Sequence, residues 1–219
     1  MTIYDALAWS IEAISNVNLL QVVQALAPVA TALIAYCALK NWKRQDKAKR
    51  EAEFLDELVE ETHTFIVQMS SPVALVRTIE IGMASHVPTW EDGDQTIKGA
   101  IDFIQKQGEP ITGRLRDTLR DVRPSLVRLR SLAAKGQIFK FKEYAKCYNA
   151  LLMLTWQYDR VEVVLTAVGS PTLNWDNPMV LNLLKSAMDI KQDDIQKHLS
   201  EHNAAIVKFA RETYQKLYD

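Results

Sequence analysis

The chain contains an uninterrupted stretch without charged side chains, which runs from Ala13 to Leu39. Its apolar centre, residues 19–39, reads LLQVVQALAPVATALIAYCAL. A helix of that length extends roughly 30 Å, which matches the thickness of the hydrocarbon core of a bilayer. The sequence therefore predicts a transmembrane helix over residues 17–41.

Charged residues flank this stretch asymmetrically. Only Asp5 and Glu12 precede it, whereas residues 40–50 carry six positive charges and one negative charge. Because positive charge is retained on the cytoplasmic side of bacterial-type membranes, we predict a single-pass protein of the bacterial inner membrane, with its N-terminus outside and its C-terminus in the cytosol. The basic residues, called the basic collar below, are Lys40, Lys43, Arg44, Lys47, Lys49 and Arg50.

The length and the charge asymmetry together favour a membrane span over two alternatives. A cleaved signal peptide carries positive charge before its apolar core, where this chain is slightly acidic. A buried helix of a soluble protein is compatible with Gln21, Gln24 and Pro28, although proline is also tolerated in membrane helices.

The uncharged stretch has two different faces on a helix. Large apolar residues such as Leu26, Val29 and Leu33 share one face, as expected for contact with lipid. Small and polar residues spaced by three and four share another, and helices in lipid associate through such residues. A lone anchor that tolerates two glutamines is the alternative. The second face, called the polar stripe below, is the predicted oligomer or pore face: Gln21, Gln24, Pro28, Thr31, Ala35 and Ala38.

The remaining sequence is helical in pattern throughout. Residues 1–16 place Ile3, Leu7 and Ile11 on one face, which predicts an amphipathic interfacial helix or an outer extension of the span. Residues 42–219 are numerous enough for a single hydrophobic core. We predict an all-α fold, in which the N-terminal transmembrane helix continues into a cytosolic antiparallel helical bundle of long helices.

Proline and glycine predict where those helices end. The first cytosolic helix is expected to end near Ser70, before Pro72, and residues 86–95 are expected to form a loop. Further ends are predicted at Gly108, Pro124 and Gly136, and within residues 169–178.

Two long helices are predicted in the second half of the chain. The apolar run ALLMLTW, residues 150–156, marks a helix from Phe139 to Val168 as the centre of the core. Asp159 follows this run too closely for a second span. The last helix is predicted from Pro178 to Tyr218, since its apolar residues repeat with a period near 3.5, as in long bundle helices or coiled coils.

Six arginines lie close together in sequence, and their guanidinium groups are suited to bind phosphate or carboxylate groups. Asp117 and Asp121 are interleaved with them, so a solvated face held by local ion pairs is the alternative to an anion, nucleic-acid or partner site. The net charge of −1 argues against general nucleic-acid binding. The residues of this arginine stretch are Arg114, Arg116, Arg120, Arg123, Arg128 and Arg130.

The sequence lacks the motifs of the common enzyme classes. It contains no phosphate-binding GxxxxGK[ST], no GxGxxG, no GxSxG and no CxxC. Asp194, His198 and His202 share one helical face and are weak candidates for metal ligands, although a core histidine explains His202 equally well. We therefore predict a protein that is not an enzyme and has no cofactor, no catalytic residues and no metal site.

The apolar helix that runs into LKNWKRQDKAKREAEFLDELVEETHTF, followed by a helical bundle without an enzyme motif, resembles uncharacterised bacterial single-pass inner-membrane proteins. Some similar proteins are membrane effectors of anti-phage defence systems, and the resemblance implies a homo-oligomer that perturbs the bilayer or forms a pore when a cytosolic protein or nucleoprotein partner engages its bundle. Two alternatives stay open: a monomeric membrane-anchored scaffold or partner-binding module, and anion or nucleic-acid binding through residues 114–130.

Overall fold

The computed structural model describes the backbone of residues 19–86 and 95–218, and the side chains of most of them. Every regular element in these residues is an α-helix, as the sequence predicts. The predicted helix over residues 1–16 and most of the predicted loop over residues 86–95 lie outside the described part. The five described helices are α1 (Leu19–Ser85), α2 (Gln95–Phe139), α3 (Tyr144–Val168), α4 (Pro178–Met188) and α5 (Gln192–Tyr218).

Packing divides the chain into two units, Met1–Arg50 and Glu51–Asp219. In the first unit, all described side chains between residues 26 and 45 are exposed. The second unit has one continuous hydrophobic core, and its buried residues extend from Phe54 in α1 to Ala210 in α5.

The helices of the second unit form an antiparallel bundle. Lys135 of α2 reaches Glu57 of α1, with 3.0 Å between Nζ and Oε2, whereas the ring of Phe103, near the start of α2, contacts His86 just beyond the end of α1. Likewise α5 runs against α1, because Gln192 lies beside Glu80 and the far end of α5 lies beside Ala52. The predicted antiparallel arrangement is therefore found.

The helix α3 lies at the centre of this bundle. It packs against α2, α4 and α5, and it buries residues along its whole length. This confirms the prediction of a central core helix, although α3 begins at Tyr144 and not at Phe139. Its buried hydrophobic residues include Leu151, Leu154, Val161, Val164 and Val168.

The predicted end of the first helix at Ser70 is wrong, because α1 continues through Pro72 to Ser85. An interior proline removes one backbone hydrogen bond and costs about 3 kcal/mol. Fully buried side chains on both sides of Pro72, such as Met69 and Val76, pack into the same core. Burying each large side chain contributes about 1.5–3 kcal/mol, so packing outweighs the local preference to end the helix.

The predicted ends at Gly108 and Pro124 are also wrong, since α2 passes through both residues and through Pro110. Gly108 is needed for close packing, because a Cβ atom there would lie 2.5 Å from the carbonyl oxygen of Val168. The Thr112 hydroxyl also donates to the Gly108 carbonyl over 2.7 Å.

The end predicted at Gly136 lies three residues further on, at Phe139. A Cβ atom at Gly136 would meet the Tyr144 hydroxyl at 2.1 Å, so this glycine makes room for a ring. The chain reverses between Lys140 and Glu143, which both adopt positive φ angles, of 54° and 64°. Below this turn, aromatic rings contact one another: Phe54, Phe139, Phe141, Tyr144 and Phe209.

The single last helix predicted from Pro178 to Tyr218 is divided into α4 and α5 at residues 189–191. The Glu80 carboxylate of α1 accepts a hydrogen bond from the backbone N–H of Gln192 over 2.9 Å and so caps the start of α5. Asp193 and Asp194 in the first turn of α5 also favour a helix beginning there. The partner that stabilises this break is therefore in a distant part of the sequence.

Candidate functional site

The uncharged part of α1 exposes large apolar side chains over several helical turns. Their exposed fractions range from 50% for Leu39 to 70% for Ile34. The basic collar follows directly, and within it Arg50 pairs with Asp46 over 2.9 Å. The exposed large residues of this segment are Leu26, Val29, Leu33, Ile34, Tyr36, Leu39 and Trp42.

The polar stripe lies on the same segment, and its described members, Gln24, Pro28, Thr31, Ala35 and Ala38, are all exposed. The Thr31 hydroxyl donates to the carbonyl oxygen of Ala27 over 2.8 Å, so its hydrogen is used within the helix and its oxygen remains an acceptor. Pro28 has no N–H to offer the carbonyl of Gln24 four residues earlier. That carbonyl therefore lies beside the Gln24 side chain as a further polar group.

Within the part of the chain that the structure describes, no helix is both long enough and apolar enough to cross a membrane. The side chains of residues 19–23, which include Gln21, lie outside the described ones. The transmembrane helix over residues 17–41 stays a prediction.

The arginine stretch lies along the exposed side of α2 and divides into two groups. Arg130 places Nη2 at 2.8 and 2.9 Å from the two carboxylate oxygens of Asp159 in α3. Arg128 approaches Glu61 at 3.4 Å, and Arg120 pairs with Asp117 at 3.2 Å. Arg130 and Arg128 therefore link α2 to α3 and α1, whereas Arg120 forms an ion pair within α2.

The other three arginines of the stretch, Arg114, Arg116 and Arg123, are exposed and form no ion pair among the described residues. They stay available to solvent or to an anionic ligand. Binding of an anion or a nucleic acid by the arginine stretch stays a prediction.

Asp194, His198 and His202 do lie together on α5, but their geometry does not suit a metal ion. Asp194 accepts a hydrogen bond from Arg160 over 2.6 Å, and this ion pair holds the pKa of the Asp194 carboxyl below its usual value. The rings of His198 and His202 stack, with centroids 5.7 Å apart. Among the described residues, no group of three or more potential ligands could hold a metal.

His202 occupies a partly buried position in which its Nε2 atom has no hydrogen-bond partner among the described residues. Burial lowers the pKa of this imidazole, and the neighbouring His198 lowers it further. Positive charge on the His202 imidazole is therefore disfavoured.

Arg160 is the centre of a polar group that sequence reasoning missed. Its side chain is only 12% exposed, pairs with Asp194, donates to the Gln157 side chain over 2.9 Å and lies 5.3 Å from the ring centroid of Trp156. The partners are 34 residues apart along the chain, so the sequence offers no local signal for the pair.

A cleft between the turn after α2 and the end of α5 was also missed. It has a volume of 260 Å³, and lysines from both segments line it. Its floor includes Cys147, whose thiol pKa burial raises to about 12. A reactive thiolate is therefore not available at this position.

No protein-family model, curated protein or solved structure matches the chain.

Proposed function

We propose that this protein is a non-enzymatic, membrane-anchored helical effector of the bacterial inner membrane, which forms oligomers and alters bilayer packing or permeability when a partner engages its cytosolic bundle. One observation supports the proposal most directly. Large apolar side chains of the uncharged part of α1 are at least half exposed over residues 26–39, and the core of the second unit includes none of them. Large apolar side chains over several helical turns are normally buried in a core or in a membrane.

The polar stripe supports the oligomer. In lipid, the Gln24 side-chain amide and the backbone carbonyl released by Pro28 have no water to bind, so a second helix is their natural partner. The small side chains of Ala35 and Ala38 allow two backbones to approach closely on the same face. Lipid then covers the opposite face, which carries Val29 and Leu33. A defence role is part of the proposal on the basis of the architectural resemblance.

The first experiment overproduces the full chain and two double variants in a bacterial host, so that association in the membrane does not depend on the partner. Gln24→Leu with Thr31→Leu removes the polar groups of the stripe, whereas Val29→Leu with Leu33→Val repacks the opposite face with its volume conserved. The parent chain and the second variant are expected to stay in the membrane after carbonate extraction, to form oligomers in detergent and to depolarise the membrane. The first variant is expected to stay in the membrane as a monomer without depolarisation.

Two results would overturn parts of this proposal. Release of the parent chain by carbonate would show that it is not anchored. Equal oligomer size and equal depolarisation for both double variants would show that the polar stripe is not the association face.

A monomeric scaffold is the second candidate, because α3 presents an exposed apolar surface. Leu152, Met153 and Trp156 are 39–47% exposed and border a cleft of about 480 Å³, with Arg130 and Asp159 at its edge. Such a surface suits a partner protein. Replacement of residues 17–41 by an unrelated membrane span would leave a scaffold active and would inactivate the effector.

A further inference from the structure

The cleft at one end of the second unit has an unusual concentration of positive charge. Lys142 and Lys146 come from the segment around the start of α3, and Lys208 and Lys216 come from α5. Two carboxylates, Glu143 and Glu212, line the same cleft. The difference between four ammonium groups and two carboxylates leaves the cleft with two positive charges in excess.

The ion pairs within the cleft show where this excess lies. Lys146 pairs with Glu143 at 2.9 Å, and Lys208 approaches Glu212 at 3.9 Å. Lys142 and Lys216 form no ion pair among the described residues. The pKa of Glu143 is lowered first by its bond to Lys146 and, in addition, by the charges of Lys142 and Lys216. The ammonium groups of Lys142 and Lys216 therefore both favour negative charge at the position of the Glu143 carboxylate.

The backbone adds to this positive field. Glu143 precedes the first turn of α3 and has a φ angle of 64°, and its side chain does not cap the backbone N–H groups of that turn. The N–H groups of Tyr144 and Lys146 already donate to backbone carbonyls, so the start of α3 attracts anions here through the helix dipole. Below the lysines, Phe209 and Cys147 form an apolar floor that is at least 92% buried.

We propose that this cleft binds a phosphate group carried by a small molecule or by a lipid headgroup. A phosphate monoester carries about 1.5 to 2 negative charges near pH 7, which matches the excess charge of the cleft better than a single carboxylate does. Lysines bind phosphate as point charges without a fixed bidentate geometry. The volume of 260 Å³ accommodates a phosphate with a small organic substituent on the apolar floor.

Binding is measured by calorimetry on the full chain in neutral detergent, with inorganic phosphate and pyrophosphate as probes and acetate as the carboxylate control. Lys142→Ala with Lys216→Ala is expected to weaken binding about ten-fold or more per lysine, because each removes a charge-assisted hydrogen bond. Glu143→Gln is expected to tighten binding by up to about five-fold, since it releases Lys146 and removes a repulsive charge. A structural role for Glu143 would not produce tighter binding.

The matched control is Lys98→Ala with Lys185→Ala, at positions toward the other end of the bundle. Glu80 marks that end of the bundle and Ala52 marks the end with the cleft, and the two residues are roughly 42 Å apart along α1. This distance is far greater than the Debye length in physiological salt. The control variant is expected to bind the probes like the parent chain. Equal weakening in both lysine variants, or no phosphate binding by the parent chain, would overturn the assignment.

The source of the phosphate is distinguished by reconstituting the full chain in nanodiscs of phosphatidylcholine alone or with phosphatidic acid, whose headgroup is a phosphate monoester. A lipid ligand protects Lys142 and Lys216 from amine labelling only in the anionic discs. A soluble ligand gives protection on addition of pyrophosphate in both kinds of disc. Labelling that neither lipid nor pyrophosphate changes would overturn the site, independently of whether the chain is anchored.

Discussion

At the scale of single residues, the effect of a glycine inside a helix depends on which atoms of the bundle lie beside it. Gly136 and Gly113 both lie inside α2, where glycine normally weakens a helix. A Cβ atom at Gly136 would collide with the Tyr144 ring, whereas one at Gly113 would meet nothing within 4 Å. The lack of a side chain is therefore required at Gly136, whereas at Gly113 it only weakens the helix.

Substitution of these two glycines by alanine is expected to change stability in opposite directions. Gly136→Ala forces the Tyr144 ring to move and disturbs its 2.8 Å bond to the Ala133 carbonyl, so we expect a loss of about 1–3 kcal/mol in the free energy of unfolding. Gly113→Ala is expected to add about 0.5–1 kcal/mol. Urea denaturation measures both, and a loss at Gly113 would contradict the open space beside it.

His202 is expected to make stability depend on pH. Its pKa in the folded state lies below the ordinary value of about 6.5, so the unfolded chain takes up a proton first as the pH falls. The free energy of unfolding is thus expected to fall from about pH 6.5 down to the folded pKa. Substitution His202→Gln should flatten this slope between about pH 7.5 and 5.5, and Gln196→Ala, at an exposed neutral residue of the same helix, should leave it unchanged. Equal slopes for His202→Gln and the parent chain would contradict this account.

At the scale of the helices, the boundary between α4 and α5 is stabilised by a residue of α1. The Glu80 carboxylate is 9% exposed and caps Gln192 from 112 positions earlier in the chain. The apolar period of residues 178–218 continues across this boundary and favours one helix. The cap and the acidic first turn of α5 instead favour a helix that begins at Gln192.

Loss of this cap is expected to destabilise the bundle. Glu80→Ala leaves the Gln192 N–H without its acceptor and should lower the free energy of unfolding by about 1–2 kcal/mol. Glu80→Gln retains an acceptor and should lose less. The matched control is Glu60→Ala, on the exposed face of the same helix. A loss for Glu60→Ala as large as that for Glu80→Ala, in thermal or urea denaturation, would rule out a specific cap.

At the scale of the whole molecule, the two units differ in what stabilises them. The core of the second unit is complete within residues 54–210. In the first unit, residues 26–39 carry apolar side chains that are exposed. The second unit thus has the burial needed to fold, whereas the described apolar side chains of residues 26–39 lack such burial.

Residues 51–219 are accordingly expected to fold alone. The isolated segment should be strongly helical by circular dichroism, remain in solution without detergent and unfold cooperatively in urea. The full chain should require detergent for solubility, because the exposed apolar residues 26–39 remain in it. A segment 51–219 that unfolds without a cooperative transition would contradict the division at Arg50.

The sequence by itself determined the helical class, the antiparallel bundle and the central position of α3, because these follow from apolar periodicity along each helix. The prediction of helix ends from the sequence was wrong where a local signal competed with packing against distant residues. Proline and glycine predicted ends at Ser70, Gly108 and Pro124, but the core on both sides of these positions keeps the helices continuous.

Only the tertiary structure decided the break before Gln192 and the lysine cleft between the α2–α3 turn and α5. Both join groups that are far apart in the sequence, so no window of neighbouring residues contains the interaction. The uncharged stretch is different, since its composition predicts a membrane span and the spacing of its small and polar residues predicts the polar stripe. Its burial, unlike its apolar character, depends on contacts with groups outside the stretch.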